Sequence, residues 1–277
     1  MFLYNLHFII VGPQKAGTTW IYEYLKTLPG VCVPVKVKET FFFDKYYSKG
    51  LDWYFWHFKH CKENDKKGEV APTYFDVSEV PERIYRLNKN IKIVVTLRNP
   101  YERCWSLYLH QLRYGFVKGT FQEAIKQDPR ILTSCFYATY LKRWLNAFRE
   151  RQVLVMLHDE LKQSPRKYIK KICNFLEIAF QERPEFFQKE VNPTELSRSI
   201  FLAKIFNNLA HWLRSYRMYW LINFSKKLGL KRLIFGGGSL PQGLTEIDYQ
   251  IMKEKFEPEI KQLEAMLNLD LSHWKRS

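Results

Sequence analysis

The sequence predicts an α/β fold in which a central parallel β-sheet is flanked by helices. Three short apolar runs, at residues 7–11, 91–97 and 153–157, have the length and composition of buried strands. Helical patterns follow each of them along the chain. Because apolar strands that alternate with helices form parallel sheets covered on both faces, these observations favour a three-layer arrangement.

The remaining elements can be predicted in chain order. Proline and glycine mark several boundaries: Pro29-Gly30 ends the first helix, and Pro100 begins a later one that runs to Gly115. The predicted helices are residues 17–28, 80–87, 100–115, 135–149 and 165–176, with a short strand at 31–33 and an aromatic helix or turn at 51–58.

Length and composition indicate one large domain. A chain of 277 residues with 46% hydrophobic residues can bury an ample core. We expect a single domain over residues 1–277, with a core at about 7–180 and a helical insertion and C-terminal region at about 195–277. Lys and Arg outnumber Asp and Glu by 44 to 28, a net charge of +16, which favours an anionic partner without identifying it.

Cysteine usage and the N-terminus bear on the compartment. The five cysteines are odd in number and include no C-x-x-C pair, so the sequence predicts neither a disulfide framework nor a zinc site. We expect free thiols in a reducing compartment. The chain shows no signal-peptide pattern and no run of 18 apolar residues, which predicts a soluble, cytoplasmic protein.

The first predicted strand is followed by a loop suited to phosphate. Gly12 and Gly17 have the spacing of a Walker A loop, but the expected Gly-Lys-Ser/Thr ending is replaced by Gly17-Thr18-Thr19, and the lysine lies inside the loop as Lys15. Such a loop directs backbone N–H groups and the positive end of a helix dipole at an anion.

A second candidate site follows the strand at 91–97. Ligands of parallel sheets bind beyond the carboxyl ends of the strands, so Arg98 is expected at the same rim as the loop. A metal-dependent nucleotide triphosphatase would carry an acidic residue there to hold Mg²⁺. Arg98 and Ser106 are suited instead to bind a separate phosphate group directly, without metal. The alternative is that Arg98 and Arg103 form surface salt bridges and Ser106 has no role in binding.

These segments resemble the sulfotransferases that use 3′-phosphoadenosine 5′-phosphosulfate (PAPS). The motifs are GPQKAGTTW at 12–20 and LRNPYERCWSLY at 97–108. KETFFFD at 38–44, GLDWYFWHF at 50–58, APTYF at 71–75 and VPERIYRLN at 80–88 resemble the carbohydrate branch, the heparan sulfate N- and 3-O-sulfotransferases. The resemblance implies a P-loop NTPase-like fold, and a bacterial-type member of the family fits best.

The resemblance also implies roles for individual residues. Lys15 would neutralise charge on the leaving phosphosulfate oxygen and act in catalysis, and Arg98 and Ser106 would bind the 3′-phosphate of the cofactor. Adenosine 3′,5′-bisphosphate would be the product, with no metal required. The further cofactor-binding residues expected from the family are Ala16, Gly17, Thr18, Thr19 and Trp20 in the loop, and Lys231 and Arg232 before the glycines at 236–238 in a late covering loop.

Glu39 aligns with the catalytic base of the 3-O-sulfotransferases and would take the proton of the acceptor. The alternatives are a solvated carboxylate or an ion pair with Lys36 or Lys38, and Asp44 is a weaker second candidate for the base. Heparan sulfate enzymes often carry a lysine before Thr-Pro, whereas this chain reads Glu69-Val70-Ala71-Pro72, so the contribution of that lysine is missing or supplied elsewhere. The acceptor is therefore left open: a hydroxyl or amine of a carbohydrate or glycolipid is expected, and a small molecule or another lipid is the alternative.

Residues 200–232 mix aromatic and basic residues at helical spacing. Such a segment fits either a helix on an anionic membrane face or a packed helical insertion, and we favour the packed helix. Two other functions compete with sulfuryl transfer. A P-loop kinase would need the missing Gly-Lys-Ser/Thr ending, and a nucleic-acid-binding module would be expected to carry a recognition motif, which is not found. We therefore expect no nucleic-acid partner, and the oligomeric state is open.

Overall fold

The structure is a computed structural model that describes residues 5–187, 209–210, 212–219, 221, 241 and 243–275. The chain divides into two compact units. The first contains Met1–Asn99 and Tyr137–Val191, and the second contains Pro100–Phe136 and Asn192–Ser277. This division into units does not test the single domain expected over residues 1–277, which stays a prediction.

A five-stranded parallel sheet forms the centre of the first unit. Its spatial order is β2-β3-β1-β4-β5, and every neighbouring pair is parallel. The strands are β1 (Phe8–Gly12), β2 (Val31–Cys32), β3 (Lys66–Val70), β4 (Lys92–Leu97) and β5 (Val153–Leu157). This sheet confirms the predicted α/β class.

Most of the α-helices described in the first unit lie close to their predicted positions. They are α1 (Thr18–Leu25), α2 (Leu51–Phe55), α3 (Val80–Leu87), α7 (Tyr137–Ala147), α8 (His158–Gln163), α9 (Pro165–Leu176) and α10 (Pro184–Phe187). A 3₁₀ turn at Trp56–Phe58 extends α2. The short helices α8 and α10 were not predicted, because six and four residues are too few to show helical periodicity.

Both faces of the sheet are buried. On one face, side chains of β1, β3, β4 and β5 share a core with α1 and α9; members of this cluster include Phe8, Ile10, Ile21, Val70, Val94, Met156 and Ile172. The alternate strand residues Ile9, Val11, Ile93 and Val95 are also fully buried. Covering on both faces explains why β1 and β4 are continuous apolar runs.

Strand β3 was not predicted from the sequence, although it lies between β1 and β2. Its sequence, KKGEV, is short and charged and contains a glycine, so it has no apolar run to recognise. A Cβ at Gly68 would lie 2.2 Å from ring atoms of Phe8, so only glycine allows β3 to approach that side chain. The strand is thus specified by its neighbours.

The second unit is helical where it is described. It contains α4 (Pro100–Arg113), α5 (Phe121–Gln127), α6 (Arg130–Thr133) and α11 (Glu246–Leu267). Helix α11 begins at a capping box, in which Thr245 Oγ1 accepts a hydrogen bond from the Asp248 N–H at 3.3 Å and Asp248 Oδ2 accepts one from the Thr245 N–H at 2.8 Å. This long helix confirms the predicted helical C-terminal region.

One cysteine prediction was wrong. Cys32 and Cys61 form a disulfide, with their Cα atoms 5.7 Å apart. The two residues are 29 positions apart in sequence, and only the fold brings the end of β2 close to the turn after α2, so counting and local spacing could not reveal the pair. Cys104, Cys135 and Cys173 are buried free thiols, as predicted.

The aromatic and basic segment at 200–232 is described only at 209–210, 212–219 and 221. Within it, Ala210, Leu213 and Tyr219 are buried, whereas Trp212 and Tyr216 are exposed. The buried side chains are those expected of a packed helix, and the choice between a packed and a membrane-bound helix stays a prediction. Among the described residues, no helix combines the length and apolarity needed to span a bilayer.

Candidate active site

The phosphate loop connects β1 to α1, and its backbone requires two glycines. Gly12 has φ +92° and Gly17 has φ +85°, a region that favours glycine. A Cβ at Gly12 would lie 2.5 Å from Pro72 Cα, and one at Gly17 would lie 2.9 Å from a methyl carbon of Leu161. The loop is therefore packed closely against the end of β3 on one side and α8 on the other.

The N-terminus of α1 is open to an anion. The first turn of this helix contains no acidic residue, and its N-cap, Gly17, provides no side-chain cap. Helix starts leave their first N–H groups without intrahelical partners, and here those of Thr18 and Thr19 are in that position. Lys15, three residues before the helix, has a left-handed backbone with φ +67°. These features fit a phosphate or sulfate group.

Arg98 follows β4, which pairs directly with β1. Its Nη1 donates to the carbonyl oxygen of Lys15 at 3.4 Å, so the guanidinium lies beside the phosphate loop as predicted from the sequence. The hydroxyl of Tyr137 donates to the carbonyl oxygen of Arg98 at 2.8 Å and fixes the backbone at the end of the strand. The guanidinium of Arg98 thus lies against the backbone of Lys15, at the carboxyl ends of adjacent strands.

Glu39 lies on the segment that follows β2 and is tied to α1. Lys38 Nζ lies 2.9 Å from Glu39 Oε1 and 3.5 Å from Thr18 Oγ1, and the two charged side chains are only about one-fifth exposed. The ion pair with Lys38, one of the alternatives for Glu39, is therefore formed. It also brings the carboxylate close to the first residue of α1. Lys36 instead lies over the ring of Trp56.

A second carboxylate, Glu69, is fully buried and bonded to the residue after Glu39. Its Oε1 accepts hydrogen bonds from the N–H and the hydroxyl of Thr40, both at 2.7 Å. Its Oε2 accepts from the hydroxyls of Tyr54 at 2.9 Å and Tyr74 at 3.2 Å. Burial raises the pKa of Glu69 to about 7, against the opposing effect of the hydrogen bonds from Thr40. This role could not be predicted from the sequence, because the partners of Glu69 are distant along the chain.

Asp44, the weaker candidate for the base, is largely enclosed. Its Oδ1 is buried and has no hydrogen-bond partner among the described residues, and burial raises the pKa of the carboxyl. Asp44 lies in the turn after Phe42 and Phe43, whose rings pack against Tyr54.

The other predicted cofactor residues fall into three groups. Ala16 and Trp20 are buried, and the Trp20 ring packs against Tyr24 and Phe186, so its side chain belongs to the core. Ser106 lies half-buried on α4 in the second unit, and Lys231 and Arg232 lie outside the described residues. Their roles toward the cofactor stay predictions.

Arg103 has a structural role that the sequence did not indicate. It is 1% exposed, and its Nη1 lies 2.9 Å from both Ser134 Oγ and Cys135 Sγ. The surface salt bridge considered as an alternative for Arg103 does not describe this buried side chain. Its partners lie on the turn after α6, too far along the chain for helical spacing to show them.

One group of possible metal ligands occurs in the described part of the chain, at Cys32, His60 and Cys61. The disulfide joins the two sulfur atoms, and His60 Nε2 lies 3.2 Å from Cys32 Sγ. Bonded sulfurs are not thiolate ligands.

The family model of the sulfotransferase domain matches residues 5–204. The chain belongs to this sulfotransferase family. The match includes the phosphate loop, Glu39 and Arg98, and it confirms the family suggested by the motifs.

Two curated relatives match the sulfotransferase part of the chain. The bifunctional heparan sulfate N-deacetylase/N-sulfotransferase 2 of Bos taurus is 36% identical over 192 residues, which are 62% of this chain and 22% of that protein. The corresponding enzyme 1 of Homo sapiens is 32% identical over 191 residues, 61% of this chain and 22% of the relative. The chain thus spans about a fifth of these relatives. They confirm the predicted likeness to the carbohydrate branch.

A solved sulfotransferase shares the fold. The crystal structure of a sulfotransferase from Alicyclobacillus acidocaldarius superposes with a TM-score of 0.69 at 21% identity, covering 98% of this chain and 99% of that one. At this identity the likeness concerns the fold, and it agrees with the predicted P-loop-like arrangement of a parallel sheet between helices.

Proposed function

We propose that the protein transfers a sulfuryl group from PAPS to a hydroxyl or amine of an acceptor. The observation that carries the proposal is the contact between Arg98 and the phosphate loop beside the uncapped start of α1, where Arg98 Nη1 donates to the backbone carbonyl of Lys15. A donor with a 5′-phosphosulfate and a 3′-phosphate offers an anion to each cation. Membership of the sulfotransferase family supports the same donor.

The chain's own residues divide the chemistry between them. The N–H groups of Gly17, Thr18 and Thr19 and the ammonium of Lys15 would hold the 5′-phosphosulfate and stabilise the charge that develops on the leaving oxygen. PAPS supplies the sulfuryl group, which passes to the acceptor oxygen or nitrogen as the bond to the 5′-phosphate oxygen breaks. Arg98 would hold the 3′-phosphate.

Glu39 is proposed as the general base. Its carboxylate would accept the proton of the acceptor as the new bond to sulfur forms, which leaves adenosine 3′,5′-bisphosphate as the second product. Lys38 bridges Glu39 and Thr18, so the base is tied to the helix that binds the donor. This tie supports a short path from acceptor to phosphosulfate.

A carbohydrate acceptor is supported by the relatives, whose names specify heparan sulfate N-sulfotransferases. The high positive charge of the chain, +16, is also suited to an acidic polysaccharide. We therefore propose a carbohydrate acceptor, with a small molecule or lipid as the alternative.

The donor site can be tested by calorimetry with adenosine 3′,5′-bisphosphate. We expect Lys15→Ala and Arg98→Ala each to weaken binding at least about tenfold, the equivalent of a charge-assisted hydrogen bond. Lys59→Ala and Arg86→Ala remove exposed charges of the same types and should bind like the wild type. Equal affinity in all five proteins would reject the donor site.

The acceptor and base can be tested with labelled PAPS and a panel of desulfated heparan sulfate, simple glycosides and lipids. We expect label in the carbohydrate, and loss of turnover in Glu39→Gln with unchanged affinity for adenosine 3′,5′-bisphosphate. Turnover in Glu39→Gln at the wild-type rate would remove Glu39 as base. Label only in a lipid or small molecule would replace the proposed acceptor.

A further inference from the structure

We propose that Glu69 is a positioning residue for Glu39: it holds the backbone of Thr40 and thereby fixes the carboxylate that precedes Thr40 in the sequence. The inference rests on the proposed function, because it concerns the same acceptor site. Glu69 is fully buried and its carboxylate bonds to Thr40, so it acts through Thr40 and not on the acceptor.

Two short hydrogen bonds join Glu69 to Thr40. One carboxylate oxygen, Oε1, accepts both the N–H and the hydroxyl of Thr40 at 2.7 Å. The peptide group whose N–H is held is the one that joins Glu39 to Thr40. A rotation of this peptide would move the Glu39 side chain, so the bond to Glu69 restricts the direction in which Glu39 points.

The other carboxylate oxygen anchors Glu69 itself. Tyr54, on α2, and Tyr74, after β3, donate to Oε2 at 2.9 and 3.2 Å. Both tyrosines are fully buried among aromatic rings. Glu69 is also part of β3, which is hydrogen-bonded on both sides in the sheet. The carboxylate therefore attaches the segment around Thr40, which contains no helix or strand, to the sheet.

The residues after Thr40 continue the same attachment. The N–H of Phe42 donates to Thr40 Oγ1 at 3.2 Å, and the N–H of Phe43 donates to the Tyr74 hydroxyl at 3.3 Å. On the other side, Lys38 ties Glu39 to Thr18. Glu39 is thus held between α1 and the Glu69 network. Loss of either tie should misplace the base, and a displacement of about 1 Å can lower a rate by about a hundredfold.

The network also predicts which substitution is tolerated. All four contacts of Glu69 place it as the acceptor. In Glu69→Gln, the amide oxygen can still accept from Thr40, and the amide nitrogen can donate to the tyrosine hydroxyls, which are able to turn and accept. In Glu69→Met, a side chain of similar size accepts nothing. Comparison of Glu69→Gln with Glu69→Met therefore separates the effect of the hydrogen bonds to Thr40 from the effect of filling the same space.

We expect Glu69→Met to lower kcat at least about tenfold, with unchanged affinity for adenosine 3′,5′-bisphosphate, and Glu69→Gln to restore most of the rate. Turnover is measured with labelled PAPS and desulfated heparan sulfate. Tyr54→Phe is the matched control, because it removes a bond to the same carboxylate without releasing Thr40. It should lose stability and lower kcat less than Glu69→Met does, because both bonds to Thr40 remain.

Amide hydrogen exchange of the folded protein, followed in a proteolytic peptide that contains residues 38–43, provides a readout that needs no acceptor. Exchange of the Thr40 amide should be slow in the wild type and Glu69→Gln and faster in Glu69→Met. If Glu69→Met does not fold, Thr40→Ala, which removes one of the two bonds, is compared with Thr40→Ser, which keeps both. We expect the lower kcat in the alanine variant only.

Two results would overturn the inference. One is a wild-type kcat in Glu69→Met, or in Thr40→Ala if that variant is used, when Glu39→Gln is inactive. The other is slow exchange of the Thr40 amide in Glu69→Met. If Glu39→Gln itself keeps the wild-type rate, the proposed base fails instead, which distinguishes the two failures.

Discussion

At the scale of single residues, the phosphate loop depends on positions where only glycine fits. Gly12 combines φ +92° with a close approach to Pro72, whereas a Cβ added at Gly30, which has φ +73°, would meet no atom within 4 Å. The two glycines share a left-handed backbone and differ in the space around them. They therefore form a natural pair for separating the two effects.

We expect Gly12→Ala to destabilise the protein by about 1–3 kcal/mol more than Gly30→Ala, because the added carbon overlaps Pro72. Urea unfolding of both variants measures the difference. Equal losses of unfolding free energy in the two variants would show that the left-handed backbone angle, and not the contact with Pro72, requires glycine at position 12. The affinity for adenosine 3′,5′-bisphosphate should fall in Gly12→Ala only.

Glu69 makes stability depend on pH. Burial raises the pKa of this carboxyl to about 7 in the folded chain, from an ordinary value of 4.5. The folded chain then keeps a proton that the unfolded chain has released, so the unfolding free energy falls as pH rises from about 4.5 to about 7. Its contribution to stability is complete below that range and lost above it.

Glu69→Gln cannot release the proton, so we expect its unfolding free energy to fall less than that of the wild type between about pH 5 and about pH 8. Urea unfolding at both pH values gives the comparison. Glu63→Gln, which removes an exposed carboxylate, should retain the wild-type change. An identical pH dependence in wild type and Glu69→Gln would contradict a raised pKa at Glu69.

Local motifs predict roles for Lys15, Arg98 and Glu39, and these roles stay predictions. The structure places Arg98 beside Lys15 and ties Glu39 to α1 through Lys38. Glu69 and Arg103 could not be assigned because their partners are distant in sequence: Tyr54 is 15 residues from Glu69, and Ser134 is 31 from Arg103.

At the scale of elements, burial decided what could be predicted. Strands β1 and β4 were predicted because a strand inside a parallel sheet is a continuous apolar run. Strand β5 was predicted from its apolar sequence, VLVML, although it lies at the edge of the sheet. Strand β3 lies between β1 and β2 yet begins with two lysines, and its N-terminal half is only half-buried. Its pairing with β1 is non-local and leaves no pattern within its own five residues.

Helix α11 allows a test of whether a side-chain cap stabilises the start of a helix. Its start is set by Thr245 and Asp248, whose side chains and N–H groups bond reciprocally. We expect Thr245→Ala to lower the unfolding free energy by about 1 kcal/mol, while Thr245→Ser, which keeps the hydroxyl, stays close to the wild type. Urea unfolding distinguishes them. Equal stability of the alanine and serine variants would show that the hydroxyl does not cap the helix.

At the scale of the whole molecule, the disulfide is a covalent constraint on the unfolded chain. Cys32 and Cys61 are separated by 29 positions, a loop whose closure is worth about 3–4 kcal/mol in the chain-entropy model. Reduction should therefore lower the unfolding free energy of the wild type by about that amount. Cys61→Ser should show the same stability with and without reductant. A wild type that is insensitive to reductant would contradict the bridge.

The same disulfide sets apart the segment that contains the proposed base. It joins the two ends of a stretch that includes Lys38, Glu39 and Thr40, while the phosphate loop lies outside that stretch. The disulfide between Cys32 and Cys61 holds the two ends of this segment together. The proposed base and the phosphate loop are therefore on opposite sides of this covalent boundary, and residues 33–60 can be replaced without altering the sequence of the phosphate loop.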